Sequence, residues 1–239
     1  MERALRHTRH SLGTNVSVWV IGIDESGLTF GGAARMTDVP HALASASTLC
    51  GVPVHHLHTV RQVHGSSIIL IDKHQERTVP SEGDGLITTS PRQALAVTVA
   101  DCAPVVLSNG TALCVVHSGW RGTAAGIAER GVYELRAIDP GAAIIAWIGP
   151  LACGPCYEVG EDVAAVFPDS VTPRANGRWS FDNRAELVRR LDAVNVSVVG
   201  HDDRCTICDT SLHSHRRQGV RAGRNLVIAR MLDAAGGTS

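Results

Sequence analysis

A cysteine and a histidine frame two short apolar runs in the middle of the chain. Cys102 stands just before the first run, at 104–108, and His117 stands just after the second, at 112–116. Between the runs, Ser-Asn-Gly-Thr is typical of a hairpin turn in which Asn-Gly supplies positive φ values. An antiparallel hairpin brings its open ends together, so the thiol and the imidazole are predicted to meet. Such a pair is either two metal ligands or a nucleophile and its base.

A third residue of this kind, His64, also closes a predicted strand and is followed at once by glycine. Two neutral imidazoles and one thiolate form an ordinary zinc site with an open fourth position. No short-range ligand motif supports that site, however. On spacing alone, Cys102 as a small buried hydrophobe with unrelated loop histidines stays an alternative, as does a metal-free cysteine hydrolase in which His117 is the base.

Charged residues flank the same strand ends. Asp84 and Asp101 are candidates for a general acid or base, or for orienting a metal-bound histidine, although either aspartate can instead cap a turn. Arg121 and Arg216 can make charge-assisted contacts to phosphate or a carboxylate. For Arg217 a solvated surface position is the favoured interpretation.

Two Cys-x-x-Cys pairs look like halves of a structural zinc site: Cys153 with Cys156, and Cys205 with Cys208. Such pairs are usually about 15–20 residues apart, whereas here a predicted helix, loop, helix and strand intervene. Partly buried free thiols are therefore favoured over zinc. The histidines at 55, 56 and 58 and at 213 and 215 are assigned to no metal.

Short strands and helices must position these residues. Strands are predicted at 15–23, 58–63, 67–71, 84–89, 94–99, 104–108, 112–116, 143–148 and 196–199, and the ambiguous segment 220–232 is assigned as a strand. Helices are predicted at 40–50, 122–136, 160–167 and 184–194. The first turn of the helix at 122–136 follows His117, which predicts an anion site there. Because the strands cluster instead of alternating with helices, an α+β domain with mixed sheets is expected.

Composition narrows the functional classes. The 239 residues carry a formal net charge of -1 and no basic run, which argues against nucleic acid or an anionic membrane as partner. The charged N-terminus and the lack of an apolar run of about 18 residues predict a cytoplasmic protein. Seven cysteines, an odd number, indicate reduced thiols and no secreted disulfide framework. One domain over residues 1–239 is expected, with 234–239 frayed.

Seven motifs occur in the order found in YfiH-like proteins, also called the laccase-domain or polyphenol oxidoreductase family, which the sequence therefore resembles. They are Gln-Val-His-Gly at 62–65, Gly-Asp-Gly-Leu-Ile-Thr at 83–88, Ala-Asp-Cys-Ala-Pro at 100–104, His-Ser-Gly-Trp-Arg-Gly at 117–122, Ile-Gly-Pro at 148–150, Cys-Tyr-Glu-Val-Gly at 156–160 and Ser-His-Arg-Arg at 214–217.

The resemblance implies an α/β/β/α sandwich, a monomeric zinc enzyme, and His64, Cys102 and His117 as its zinc ligands. It also implies phosphate or substrate contacts for Gln62, Arg121 and Arg216. The implied reaction is phosphorolysis of adenosine, inosine and methylthioadenosine, with inorganic phosphate as co-substrate and a nucleoside as the small-molecule partner.

Adenosine deamination, phenol oxidation with copper in vitro, and editing of a cell-wall muramyl peptide are further activities associated with the family. A multicopper oxidase is disfavoured because its sites need several His-x-His pairs. For phosphorolysis or deamination, Asp84 or Asp101 is the expected proton donor to the leaving group. A binding module without turnover is the non-enzyme alternative.

Three segments depart from the family pattern. The family's N-terminal loop is only faintly present at 9–17, its Ser-Leu-Asn-Leu-Gly occurs as Gly-Leu-Thr-Phe-Gly at 27–31, and His215 replaces the usual tyrosine. If these segments line the pocket, substrate preference is expected to differ from that of the relatives.

Overall fold

The computed structural model describes residues 6–23, 30, 38–76 and 80–232. The frayed terminus expected at 234–239 and most of the divergent motif at 27–31 lie outside these residues. Within them the strands are β1 (His7–Leu12), β2 (Val16–Ile21), β3 (Leu57–His58), β4 (Ile68–Leu70), β5 (Gly85–Thr88), β6 (Ala94–Val99), β7 (Ala103–Ser108), β8 (Leu113–Ser118), β9 (Ile145–Ile148), β10 (Glu158–Val159), β11 (Val171–Pro173), β12 (Trp179–Phe181), β13 (Ser197–His201) and β14 (Asn225–Met231).

The α-helices of the same residues are α1 (Asp38–Cys50), α2 (Trp120–Ala124), α3 (Ile127–Ile138), α4 (Glu161–Ala164), α5 (Asn183–Ala193) and α6 (His215–Gln218). None of them is long and apolar enough to span a bilayer. The single helix predicted at 122–136 is wrong: the chain forms α2 and then α3. Gly126 between them has a φ of 72°, a left-handed conformation that interrupts helical hydrogen bonding.

Two large mixed sheets pack face to face. The first has the strand order β1-β2-β14-β6-β3 and the second β13-β9-β7-β8-β5-β4. Their facing sides share one apolar core, in which Val97 and Val227 of the first sheet join Val106 and Val115 of the second. This pairing follows from strand alternation, since every second side chain points to the same face.

Helices cover the two outer faces. On the first sheet, Leu43 and Ala46 of α1 pack with the side chains of β2, β6 and β14. On the second sheet, α3 and α5 cover the opposite face of β7 and β8, with Val132 and Leu187 in that core. The layer order is therefore α/β/β/α, and the predicted α+β class with mixed sheets is confirmed.

The central hairpin is formed by β7 and β8, which pair from Ala103 with Ser118 to Ser108 with Leu113. Its loop is longer than the two-residue Asn-Gly turn that the sequence suggests. Gly110 has a φ of 87°, whereas Asn109 acts through its side chain, whose Oδ1 accepts from the N–H groups of Thr111 and Ala112. The hairpin itself was predicted correctly, and its turn type was not.

Several short elements were not expected. β1 pairs with β2 over the segment 7–12, and β10, β12 and β11 form a separate three-stranded antiparallel sheet. Residues 220–232 contain β14, as expected, preceded by a short 3-10 turn at Gly219–Arg221.

Candidate metal centre and its pocket

His64, Cys102 and His117 come together at the open end of the central hairpin. One ligand atom from each residue lies within 4.8 Å of the others. The two imidazole rings meet edge to face, with centroids 4.8 Å apart. His117 belongs to β8 and is buried, Cys102 immediately precedes β7 and is half-buried, and His64 lies on an exposed loop. We call these three residues the hairpin cluster.

Asp84 fixes the positions of two residues of the hairpin cluster through hydrogen bonds. Its side chain is fully buried and accepts a hydrogen bond from Nδ1 of His117 at 2.9 Å. It also accepts from the backbone N–H groups of Val63, His64 and Gly65 at 3.2, 2.9 and 2.7 Å. One carboxylate thus fixes both the ring of one histidine and the loop that carries the other, and leaves Nε2 of His117 for the cluster.

Asp84, Cys102 and His117 shift the pKa values of one another. Burial opposes ionisation of Asp84, but hydrogen bonds from His117 and from the Gly65 and Val63 N–H groups outweigh it and lower the pKa of Asp84. Burial also opposes ionisation of Cys102, yet hydrogen bonds from His117 and His64 lower its pKa to about 6. Against burial, Asp84 and Cys102 raise the pKa of His117 to about 9. The pocket therefore favours a thiolate beside positively polarised imidazole.

The backbone around the hairpin cluster is unusually constrained. His64 and Asp101 have φ values of 60° and 90°, in the region that side chains with a Cβ rarely adopt. A Cβ added at Gly119 would lie 2.7 Å from Sγ of Cys102. Conformational strain of this kind is concentrated at functional sites in many proteins.

The hairpin cluster opens into a pocket of about 470 Å³. The residues of the pocket walls come from six segments of the chain, three of which carry the cluster residues. They are Gln62, His64, Thr98, Ala100, Asp101, Cys102, His117, Gly119, Trp120, Arg121, Tyr157, His215, Arg216 and Arg224. The predicted site residues apart from Asp84 therefore line one cavity, and Asp84 lies behind it.

Two arginines of the pocket wall lie over aromatic rings. The guanidinium carbon of Arg121 is 4.1 Å from the ring centroid of Trp120, and that of Arg216 is 5.4 Å from the ring of Tyr157. Such cation–π contacts restrict otherwise mobile side chains. Trp120 and Arg121 belong to α2, which has only five residues. The anion site predicted at the start of a long helix is therefore not formed, and the arginines supply positive charge in the pocket.

Asp101 and Gln62 make contacts that hold the pocket together. Asp101 accepts from the hydroxyl of Thr206 and from the backbone N–H of Arg216, both at 2.7 Å. The Gln62 amide donates to the carbonyl of Thr98 and accepts from its N–H, both at 2.8 Å. Both side chains thus have positioning contacts with the protein itself.

Of the other histidines singled out in the sequence, His215 lines the pocket, whereas His56, His58 and His213 do not. Rings of His56 and His58 contact Oε1 of Gln93 at 3.1 and 2.8 Å. The ring of His213 is buried with no hydrogen-bond partner for either nitrogen. Arg217 is exposed, as predicted, but its guanidinium also donates to the carbonyls of Thr206 and Ile207. The sequence contains no indication that Arg217 would hydrogen-bond to the backbone of this loop.

The four cysteines of the two Cys-x-x-Cys pairs also converge, which the sequence spacing did not predict. One sulfur from each lies within 4.8 Å of the others. All seven cysteines are free thiols. We call Cys153, Cys156, Cys205 and Cys208 the loop cluster.

The donor set of the hairpin cluster fits a metal ion. A thiolate with two imidazoles suits zinc, and three protein ligands leave a fourth position open. The buried contact from His117 to Asp84 is the second-sphere arrangement in which a carboxylate sets the ring tautomer of a ligating histidine. Among the described residues, one cluster with two histidines does not provide the ligands that a multinuclear copper centre needs.

A sequence model of the family described as multi-copper polyphenol oxidoreductase laccase matches residues 27–231. Purine nucleoside phosphorylase of Mycobacterium tuberculosis strain H37Rv is 34% identical over 200 residues, covering 79% of this chain and 80% of the relative. A protein of the same name from Aquifex aeolicus is 35% identical over 161 residues, covering 67% and 76%.

Solved structures show the same fold. YlmD from Geobacillus stearothermophilus superposes with a TM-score of 0.84 at 22% identity, over 95% of this chain and 100% of that one. The Bacillus licheniformis hypothetical protein YfiH gives a TM-score of 0.82 at 21% identity, over 90% and 92%. The chain belongs to the laccase-like polyphenol oxidoreductase family, which includes proteins named purine nucleoside phosphorylase.

Proposed function

Starting from this family membership, we propose that the protein is a zinc-dependent purine nucleoside phosphorylase. The observation that carries the proposal is a single pocket that combines the hairpin cluster with two ring-stacked arginines. A phosphorolytic site must bind a phosphate and a sugar beside a bond that breaks. The arginines of the pocket provide a positively charged surface for the phosphate. The hairpin cluster provides the groups that bind the sugar beside the bond that breaks.

In the proposed reaction a phosphate oxygen attacks C1′ of the nucleoside while the C1′–N9 bond breaks, and the electron pair leaves with the purine. Arg121 and Arg216 bind the phosphate and hold it against C1′. His64, Cys102 and His117 would hold the zinc, which when bound would supply positive charge that positions and polarises substrate oxygens. Asp84 keeps His117 in the tautomer that this requires.

The departing purine needs a proton. Asp84 has a lowered pKa, lies behind the pocket and accepts four N–H bonds, so it suits orientation better than proton donation. Asp101 already accepts two hydrogen bonds. We assign proton donation to the exposed imidazole of His215 in the pocket wall. Changing His215→Gln should lower kcat without removing zinc.

The test is incubation of the purified protein with adenosine or inosine, with and without inorganic phosphate. Free base and ribose 1-phosphate should form in equal amounts and only when phosphate is present. Removal of zinc with a chelator should abolish turnover, and re-addition should restore it. The exposed His74, which does not line the pocket, provides a matched control: His74→Ala should leave turnover unchanged.

Other outcomes would replace the proposal. Inosine formed from adenosine without phosphate would indicate deamination, and release of serine from a muramyl peptide would indicate precursor editing. The lowered pKa of Cys102 beside His117 specifically favours one rival, a cysteine hydrolase. Activity that survives chelation and is abolished by alkylation of Cys102 would establish that rival instead.

A further inference from the structure

The loop cluster lies outside the hairpin cluster and is not needed for the chemistry proposed above. Its four sulfurs lie within 4.8 Å of one another, and those of Cys156 and Cys208 are 3.2 Å apart. A tetrahedral zinc with Zn–S bonds near 2.3 Å requires sulfurs about 3.8 Å apart. This value lies between the 3.2 Å separation and the 4.8 Å limit, so the four sulfurs lie close enough together to surround one ion.

The placement of the cysteines follows from the sheet. Strands β9 and β13 are parallel neighbours, and each continues into one Cys-x-x-Cys turn. Ile145 pairs with Ser197 in the sheet, and an isolated parallel bridge then joins Leu151 to Cys205. Beyond this bridge, Cys153 contacts Cys205 and Cys156 contacts Cys208, so the two turns meet where both segments leave the sheet.

Both turns are closed by backbone hydrogen bonds. The carbonyl of Cys153 accepts from the N–H groups of Cys156 and Tyr157, and the carbonyl of Cys205 accepts from that of Asp209. The backbone N–H of Cys153 also donates to Sγ of Cys205 at 3.3 Å. Hydrogen bonds of this kind stabilise a sulfur that carries negative charge.

An arginine contacts the backbone of each turn. The guanidinium of Arg174 donates to the carbonyl of Pro155, and that of Arg217 donates to the carbonyls of Thr206 and Ile207. Four thiolates around a divalent ion have a net charge of about -2. Arg217 and Arg174, the second of which also pairs with Glu158 at 3.5 Å, place positive charge on the two turns that offsets part of that charge.

We propose that Cys153, Cys156, Cys205 and Cys208 bind one Zn²⁺ as a closed tetrathiolate site that joins the two turns. All four ligands come from the protein, so the site has no open position and is structural. Binding releases the thiol protons, and affinity therefore increases with pH. The site does not depend on the proposed nucleoside chemistry.

The proposed zinc lies behind one wall of the pocket. Tyr157 directly follows Cys156, and Thr206 lies between the other two cysteines and donates to Asp101. The guanidinium of Arg216 lies over the ring of Tyr157. Loss of the loop zinc should therefore loosen the wall that holds the phosphate, which raises KM for phosphate more than it lowers kcat.

Metal analysis of the full chain, purified under reducing conditions with zinc in the growth medium, tests the proposal. We expect about two zinc ions per chain in the unmodified protein and about one in either Cys102→Ala or Cys208→Ala. The double variant should contain none. Cys50→Ala, which removes a buried cysteine outside both clusters, should keep both ions. Zinc retained by Cys102→Ala distinguishes this site from the hairpin cluster whether or not nucleosides are turned over.

A second measurement uses the unmodified chain and does not depend on how variants fold. Alkylation followed by peptide mapping should find the four loop cysteines protected with zinc bound and modified after chelation. Cobalt loaded into Cys102→Ala should give the ligand-field absorption of a tetrahedral tetrathiolate. Equal alkylation with and without zinc, one zinc per chain that is lost entirely in Cys102→Ala, or a disulfide in the reduced preparation would overturn the proposal.

Discussion

The hairpin cluster and the loop cluster both gather cysteine-containing donor sets, yet they are built in opposite ways. The hairpin cluster has three ligands of two kinds, a buried carboxylate beneath it and strained backbone around it, and it opens into a pocket. The loop cluster has four identical ligands on two similar turns. Both clusters contain cysteine, so cysteine alone does not distinguish a reactive metal site from a structural one. The number of protein ligands and the hydrogen bonds that orient them do.

Of the variants considered, Cys102→Ala should have the largest effect on turnover, and it should show most clearly how the hairpin cluster differs from the loop cluster. It removes the thiolate ligand of the hairpin cluster, and we expect turnover to fall by about 10³-fold or more, which corresponds to about 4 kcal/mol of transition-state stabilisation. Steady-state phosphorolysis and zinc content measure the effect. The comparison fails if Cys208→Ala abolishes turnover to the same extent while the hairpin zinc is retained.

Asp84→Asn should have the next largest effect. The amide cannot accept all the N–H groups that the carboxylate accepts, so His117 and the loop at 63–65 lose their alignment. Zinc affinity should fall by about 10–100-fold, as is typical when such a partner is lost. Saturating zinc should restore most of the activity if Asp84 acts through positioning. An unchanged zinc affinity would contradict this role.

Arg121→Gln and Arg216→Gln should affect phosphate binding more than the metal. Each removes one guanidinium of the pocket wall, and we expect KM for phosphate to increase by about 10-fold, the cost of one charge-assisted contact near 1.4 kcal/mol. Zinc content should stay at the level of the unmodified chain. A matched control is Arg130→Gln on the outer helix α3, which should leave KM unchanged. Equal losses for all three variants would remove the arginines from the proposed phosphate site.

His213 should have the smallest effect on turnover, because its contribution concerns stability alone. Burial and the nearby Arg224 and Arg217 lower its pKa from 6.5 to about 4, so the unfolded chain binds this proton more readily than the folded chain. The stability due to the neutral ring is present above pH 6.5 and is lost as pH falls toward 4. The loss approaches about 3 kcal/mol. Denaturant unfolding between pH 7 and 4 should show a shallower decrease for His213→Leu, and an identical slope would refute the assignment.

Local patterns account for what the sequence predicted well. The hairpin of β7 and β8 was predicted because its turn residues and apolar runs lie within 20 residues, and its geometry alone brings Cys102 toward His117. The α/β/β/α order came from the family resemblance, since short strands do not reveal how sheets stack. The role of Asp84 as an orienting group was among the alternatives that the sequence left open.

Long-range register accounts for what was missed. The loop cluster depends on the parallel pairing of β9 with β13, whose connection includes about 50 residues and a small third sheet, and no local pattern encodes that pairing. The split between α2 and α3 had a visible cause in Gly126, but helical periodicity continues on both sides of it. Strands as short as β10 and β11 are set by tertiary contacts more than by their own propensity.

The four N–H groups that donate to Asp84 have a consequence for the rate at which the hairpin cluster takes up a metal ion. Because one carboxylate holds both the loop of His64 and the ring of His117, these two donors are aligned when the chain folds. The conformational entropy of gathering them is lost at that stage and not when an ion arrives. Ion uptake should then be limited by the shedding of its hydration water, with no slow rearrangement of the protein before it.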